Sequence, residues 1–114
     1  MTPEQRLAAV RSQLEKRPDD PFVRYALAMA HRAAGDLAAA VAEFRALARR
    51  SPDYVPTYLM LGQVLEAGGD GAGALDAYEA GRAAAVRRGD GHAERELAAA
   101  AEELRARGIR GSTA

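Results

Sequence analysis

Arg24-Tyr25-Ala26-Leu27-Ala28 comes back 34 residues later as Tyr58-Leu59-Met60-Leu61-Gly62. The same step relates Gly35-Asp36 to Gly69-Asp70, Ala40-Val41 to Ala74-Leu75, Phe44 to Tyr78 and Pro18 to Pro52. A period of roughly 20–50 residues marks stacked supersecondary units, because each unit has an apolar face that only its neighbour can cover. Such an architecture provides a surface for binding and carries no chemistry of its own.

Working outward from the repeat, the punctuation defines six helices and no strand. Thr2-Pro3-Glu4-Gln5 predicts a helix start, with Thr2 as N-cap, Pro3 at the first position and Gln5 closing a capping box. Leu7, Val10 and Leu14 follow at helical spacing. Pro18-Asp19-Asp20-Pro21 stops this helix and starts a second, which runs from about Pro21 to Ala34 and is closed by Gly35. Asp36 opens a third, with Leu37, Val41, Phe44 and Leu47 on one face, ending at Ser51-Pro52. A fourth covers about Val55 to Ala67. A fifth runs from Asp70 to Arg87 or Arg88, since Val86 stands where the next proline is due. The last spans about His92 to Arg107, with Leu97, Ala101 and Leu104 facing inward and Glu103 and Arg107 spaced for an i,i+4 pair.

The domain organisation expected is a capping helix (1–19), two repeat units (20–54 and 55–88, the second with an extended trailing helix), a C-terminal capping helix (89–108) and a flexible tail (109–114). Within each unit, small residues stand opposite large ones. Ala28, Gly62, Ala40 and Ala74 allow close helix approach, while Phe44 and Tyr78 fill the gaps. Gly81, inside a helix where glycine costs about 1 kcal/mol relative to alanine, is expected to serve close packing against the last helix, with a functional kink as the alternative.

The pattern Leu27-Ala28, Gly35-Asp36, Ala40-Val41, Phe44, Pro52, repeated as Leu61-Gly62, Gly69-Asp70, Ala74-Leu75, Tyr78, resembles the tetratricopeptide repeat over about residues 20–88. The resemblance implies an all-α, short right-handed α-solenoid of stacked antiparallel helix pairs. The chain departs from the family pattern in places. The large aromatic near the start of the leading helix is Arg24 in the first unit and Tyr58 in the second. The later tyrosine is His31 and then Leu65, and the late alanine of the trailing helix is Leu47 and then Gly81.

The resemblance also implies where a partner binds: on the concave side, lined by the leading helices. The positions are Phe22, Tyr25, Met29 and Arg32 from the first unit and Leu59, Gln63 and Glu66 from the second. Phe22, Tyr25 and Met29 share one helical face, and an apolar strip beside a polar rim suits a peptide or helix. The competing expectation is that a terminal helix or a second copy of the chain covers this face. The family's carboxylate-gripping variant places lysine and asparagine where this chain has Tyr25 and Met29, so that mode is not expected.

Composition narrows the remaining classes. Sixteen basic residues balance sixteen acidic ones, so no net field draws the chain toward nucleic acid or an anionic membrane. Arg49-Arg50 and Arg87-Arg88 sit at helix C-termini, where cations complement the macrodipole, and no aromatics interleave with them. Cysteine is absent, and His31 and His92 begin no ligand motif, so no metal, cofactor or enzymatic activity is expected. Gly68-Gly69-Asp70-Gly71-Ala72-Gly73 has neither a preceding strand nor a following Gly-Lys-Ser/Thr and falls on the repeat's own turn. With no export signal at the N-terminus and no membrane-length apolar run, a cytoplasmic protein is expected. Fifteen arginines against the single Lys16, with alanine near a quarter of the chain, suggest a GC-rich bacterial genome. The function expected is an interaction module, with a homo-oligomeric scaffold as the alternative and a nucleic-acid adaptor a more remote one.

Overall fold

The computed structural model describes residues 1–112. Six helices follow one another: α1 (Pro3–Lys16), α2 (Pro21–Ala33), α3 (Leu37–Arg50), α4 (Pro56–Ala67), α5 (Gly71–Arg88) and α6 (Gly91–Ala106). There is no strand among the described residues. Local chemistry accounts for the starts. Thr2 Oγ1 accepts from the Gln5 N–H at 3.1 Å while the Gln5 side chain accepts from the Thr2 N–H at 2.9 Å, a reciprocal box. Asp20, Asp36, Asp70 and Asp90 each accept from a first-turn N–H, of Phe22, Ala39, Gly73 and Ala93 respectively. Only α4 has no side-chain cap; Val55 precedes it, and Pro56 has no N–H to satisfy. Gly35 and Gly69, at φ +81° and +85°, make the left-handed turns inside the two units.

Each helix packs chiefly against the next one in the chain, as in a short right-handed α-solenoid of antiparallel helix pairs. The shape follows: 41 × 30 × 23 Å with a radius of gyration of 14.3 Å, against about 13 Å for a compact chain of this length. Ala28, Ala40 and Phe44 are fully buried in the first unit, and Ala74 and Tyr78 are buried at the matching places in the second. The fit is tightest at Gly62, where a Cβ would lie 2.0 Å from Tyr78 Cε1. Gly81 is likewise a contact point, since a Cβ there would lie 2.5 Å from Tyr58 Cβ and 3.0 Å from Leu97 Cδ2. Its missing side chain lets α5 approach both α4 and α6.

The junctions between units repeat as well. Tyr58 donates its hydroxyl to the Pro52 carbonyl at 2.5 Å, and 34 residues earlier Arg24 Nε donates to the Pro18 carbonyl at 2.7 Å. Beside these, Arg50 pairs with Asp19 at 3.1 Å and Arg87 with Asp53 at 2.8 Å, so each inter-unit loop is tied to the end of the next trailing helix.

The two ends differ. α6 buries Leu97, Ala101 and Leu104 and turns a polar face outward, whereas α1 has no buried residue. Leu7, Val10 and Leu14 are only half-buried. Residues 109–112 depart from the loose tail expected of 109–114. Ile109 packs on the core over Gly71, and Ser112 hydrogen-bonds Asp76 through both its N–H and its hydroxyl. Residues 113 and 114 lie outside the described residues. Arg107 also departs from expectation: it pairs with Glu66 on α4 at 2.9 Å rather than with Glu103 on its own helix.

Candidate functional site

Helices α2, α4 and α6 share one face, and two adjoining depressions run across it. The larger, about 550 Å³, lies between α1 and α2. Val10, Tyr25 and Met29 are among the residues lining it, and Phe22, Arg6 and Arg32 also reach it. The smaller, about 220 Å³, is bounded by Tyr25, Val55, Leu59 and Met60 and by Ala93 and Glu96 of α6. Tyr25 belongs to both and forms the ridge between them.

Packing sets the position of that ridge. The Tyr25 ring meets Phe44 edge-on at 5.9 Å and Tyr54 at 6.0 Å, each at 64°, the geometry favoured by ring quadrupoles. Burial pushes the Tyr25 hydroxyl above its ordinary value, opposed by the nearby Arg32 cation, so the ridge is a neutral phenol. Phe22 sits a turn earlier on α2 and is 64% exposed, unusual for a phenylalanine. Asp20 holds its N–H at 2.9 Å, which fixes the first turn that presents it.

Arg32 reaches along the face from α2 to α4. Its Nη1 lies 3.4 Å from both Gln63 Oε1 and Met60 Sδ. Six of the seven residues read from the sequence therefore fall along one surface: Phe22, Tyr25, Met29 and Arg32 on α2, and Leu59 and Gln63 on α4.

Glu66 is engaged elsewhere. It accepts the Tyr78 hydroxyl on one carboxylate oxygen and Arg107 on the other, at 2.9 Å, which locks α4 to α5 and to the end of α6. The first unit has Phe44 and Arg32 at the equivalent places. A ring without a hydroxyl asks for no acceptor, so Arg32 is left to the groove. In the second unit Tyr78 is 1% exposed, and its hydroxyl is held well above the usual range, first by desolvation and then by its bond to Glu66.

Several groove residues lie outside the family-derived set: Arg6 and Val10 of α1, Met60, the α6 cap Asp90, and Ala93 and Glu96 of α6. Val10 and Met60 carry a usable signal, because each lies on an apolar helical stripe. The contribution of α6 has none, because that helix follows α5 where the 34-residue beat has already broken. The arginine pairs at the helix ends are partly engaged, Arg50 with Asp19 and Arg87 with Asp53. Among the described residues no three metal-ligating side chains cluster, and no helix is long and apolar enough to cross a membrane.

A stack of helix pairs presenting an apolar groove, with a tyrosine ridge and charged rims, defines a helical-repeat interaction module. The family model for the tetratricopeptide repeat matches residues 21–64. A TPR repeat-containing protein of Pseudomonas aeruginosa is 32% identical over 91 residues, covering 80% of this chain and 87% of the relative. The crystal structure of a tetratricopeptide repeat domain protein from Salinibacter ruber superposes with a TM-score of 0.71 at 36% identity, covering 76% of this chain and 97% of that one. A Bordetella parapertussis protein solved in solution gives a TM-score of 0.75 at 30% identity, covering 89% and 88%. The chain belongs to the tetratricopeptide repeat family, whose members serve in general as protein–protein interaction modules.

Proposed function

We propose that this chain is a small, non-enzymatic cytoplasmic adaptor that holds a segment of a partner protein along the face shared by α2, α4 and α6. The observation that carries this reading is Phe22, 64% exposed at the edge of the 550 Å³ depression containing Val10, Tyr25 and Met29. Covering such a ring is worth roughly 2 kcal/mol, so a partner that fills the depression gains affinity there. Phe22, Tyr25, Met29 and Leu59 are the apolar anchors, and Arg32 and Gln63 set register. Glu66 serves the fold through Tyr78 and Arg107 and supports the groove from behind.

The test is a pull-down from the source lysate with the Phe22→Ser/Met29→Ser double variant, after circular dichroism shows the helices intact. Both side chains have solvent-facing atoms, so the fold should survive. If every captured partner persists, the groove assignment is wrong. A second reading, a homo-oligomer using the same face, is favoured by the absence of any buried residue on α1. Light scattering across concentrations separates the two, since a strict monomer at high concentration excludes the oligomer.

A further inference from the structure

The groove is electrically lopsided although the chain is neutral. Arg6 stands on its α1 wall, Arg32 carries its charge from α2 across to Met60 and Gln63 of α4, and Asp90 and Glu96 stand at its α6 end. Arg6, Arg32 and Glu96 form no ion pair among the described residues, so no charge on the protein neutralises them at the groove. Asp90 caps α6 through one carboxylate oxygen and keeps its charge at the groove edge. Between Arg6 and the acids of α6 the surface is Tyr25, Met29, Leu59 and Met60, with the Arg32 guanidinium beside Met60 and Tyr25 dividing the surface into two depressions.

We infer that the occupant is a dipolar protein segment: an acidic residue toward Arg6 and Arg32, an apolar side chain on each side of Tyr25, and a basic residue at the Asp90/Glu96 end. This rests on the groove reading above and adds to it the chemistry and direction of the partner. The apolar anchors supply the affinity, and the rim charges choose orientation and speed encounter, because exposed pairs contribute more to specificity than to strength. A uniformly anionic ligand fits poorly: the end that attracts it is matched by one that repels it. A segment with the opposite order of charges places like against like at both ends.

The experiment pans a random twelve-residue peptide library, displayed on phage, against the intact chain. Enriched peptides are synthesised and titrated against the wild type, Arg6→Glu, Glu96→Arg and Phe22→Ser/Met29→Ser. The inference predicts an enriched pattern of acid, two apolar residues and base, lost with the double serine variant. Each single charge reversal should weaken the selected peptide about fivefold, and a peptide with the matching charge reversed should recover it. Groove-dependent peptides with no charge order, or with the reverse order, overturn the inference and leave the groove reading standing. If no enriched peptide depends on Phe22 and Met29, both fail. The face could also complement itself about a two-fold axis. If the chain dimerises in sedimentation, and Arg6→Glu and Glu96→Arg each break the dimer but restore it when mixed, the occupant is a second copy and the peptide proposal is overturned.

Discussion

Arg24 and Tyr58 stand 34 residues apart and hydrogen-bond equivalent carbonyls just ahead of their respective units, those of Pro18 and Pro52. An arginine thus replaces an aromatic at a junction by supplying the donor that the phenol supplies elsewhere. Arg24→Ala should cost about 1 kcal/mol in urea unfolding, and Arg24→Tyr should restore most of it. Tyr58→Phe should cost less than Arg24→Ala, because Arg87 Nη2 also reaches the Pro52 carbonyl, at 3.4 Å.

Gly62 and Tyr78 make a second pair whose coupling can be measured. Gly62→Ala gains about 1 kcal/mol of helix propensity but drives a methyl into the Tyr78 ring. Overpacking of that kind costs about 1–3 kcal/mol, so the variant should be net destabilised. The first unit accommodates Ala28 beside Phe44, a ring with no hydroxyl tethered to a carboxylate. Gly62→Ala combined with Tyr78→Phe should therefore be less destabilised than the sum of the single changes, which a double-mutant cycle in urea would read.

Alkaline pH should destabilise the chain. Tyr78, Tyr25, Tyr54 and Tyr58 all have hydroxyls raised above 10.0, chiefly by burial. A folded value above the unfolded one means that this stability is fully present below pH 10.0. It is lost as the pH climbs from there through each folded value, at about 1.4 kcal/mol per pH unit for each tyrosine still protonated. Urea midpoints should be flat between pH 7 and about 9 and then fall steeply. Tyr78→Phe should show a shallower fall.

The ion pairs at the unit junctions should matter little by themselves. Asp19 with Arg50 and Asp53 with Arg87 are all exposed, and such pairs contribute roughly 0.2–1 kcal/mol. Asp53→Asn should lower stability by less than about 1 kcal/mol, with most of the difference gone in 1 M salt, as paired denaturation curves would show.

Much of this architecture was legible because the features that set it are local. Asp20, Asp36, Asp70 and Asp90 cap helices through N–H groups two or three residues away, and Gly35 and Gly69 make turns whose sign only glycine adopts freely. The face carrying Phe22, Tyr25 and Met29 was legible for the same reason, since helical spacing alone puts them together. What escaped depends on distant partners. Glu66 reads as a groove residue until the Tyr78 hydroxyl, twelve residues on, and Arg107 claim both of its oxygens. Arg24 reads as a departure from the repeat until the Pro18 carbonyl comes within reach. The α6 wall escaped because α5 runs past the place where Pro18 and Pro52 predict a break, and the register of everything after it shifts. Ile109 looked like part of a loose end because nothing nearby in sequence reveals that Gly71 leaves room for it.

Helix α1 gives the larger depression one of its walls, through Arg6 and Val10, yet it has no buried residue. In hydrogen exchange its amides should open well before those of α3 to α5, as a separate unit at the weak end of the stack. A ligand touching both α1 and α2 would then hold closed a wall that breathes when the groove is empty, and part of its binding energy would go into that ordering. Affinity for the groove becomes adjustable from a distance: a substitution on the outer side of α1 that only changes helix propensity would strengthen or weaken recognition without touching the partner.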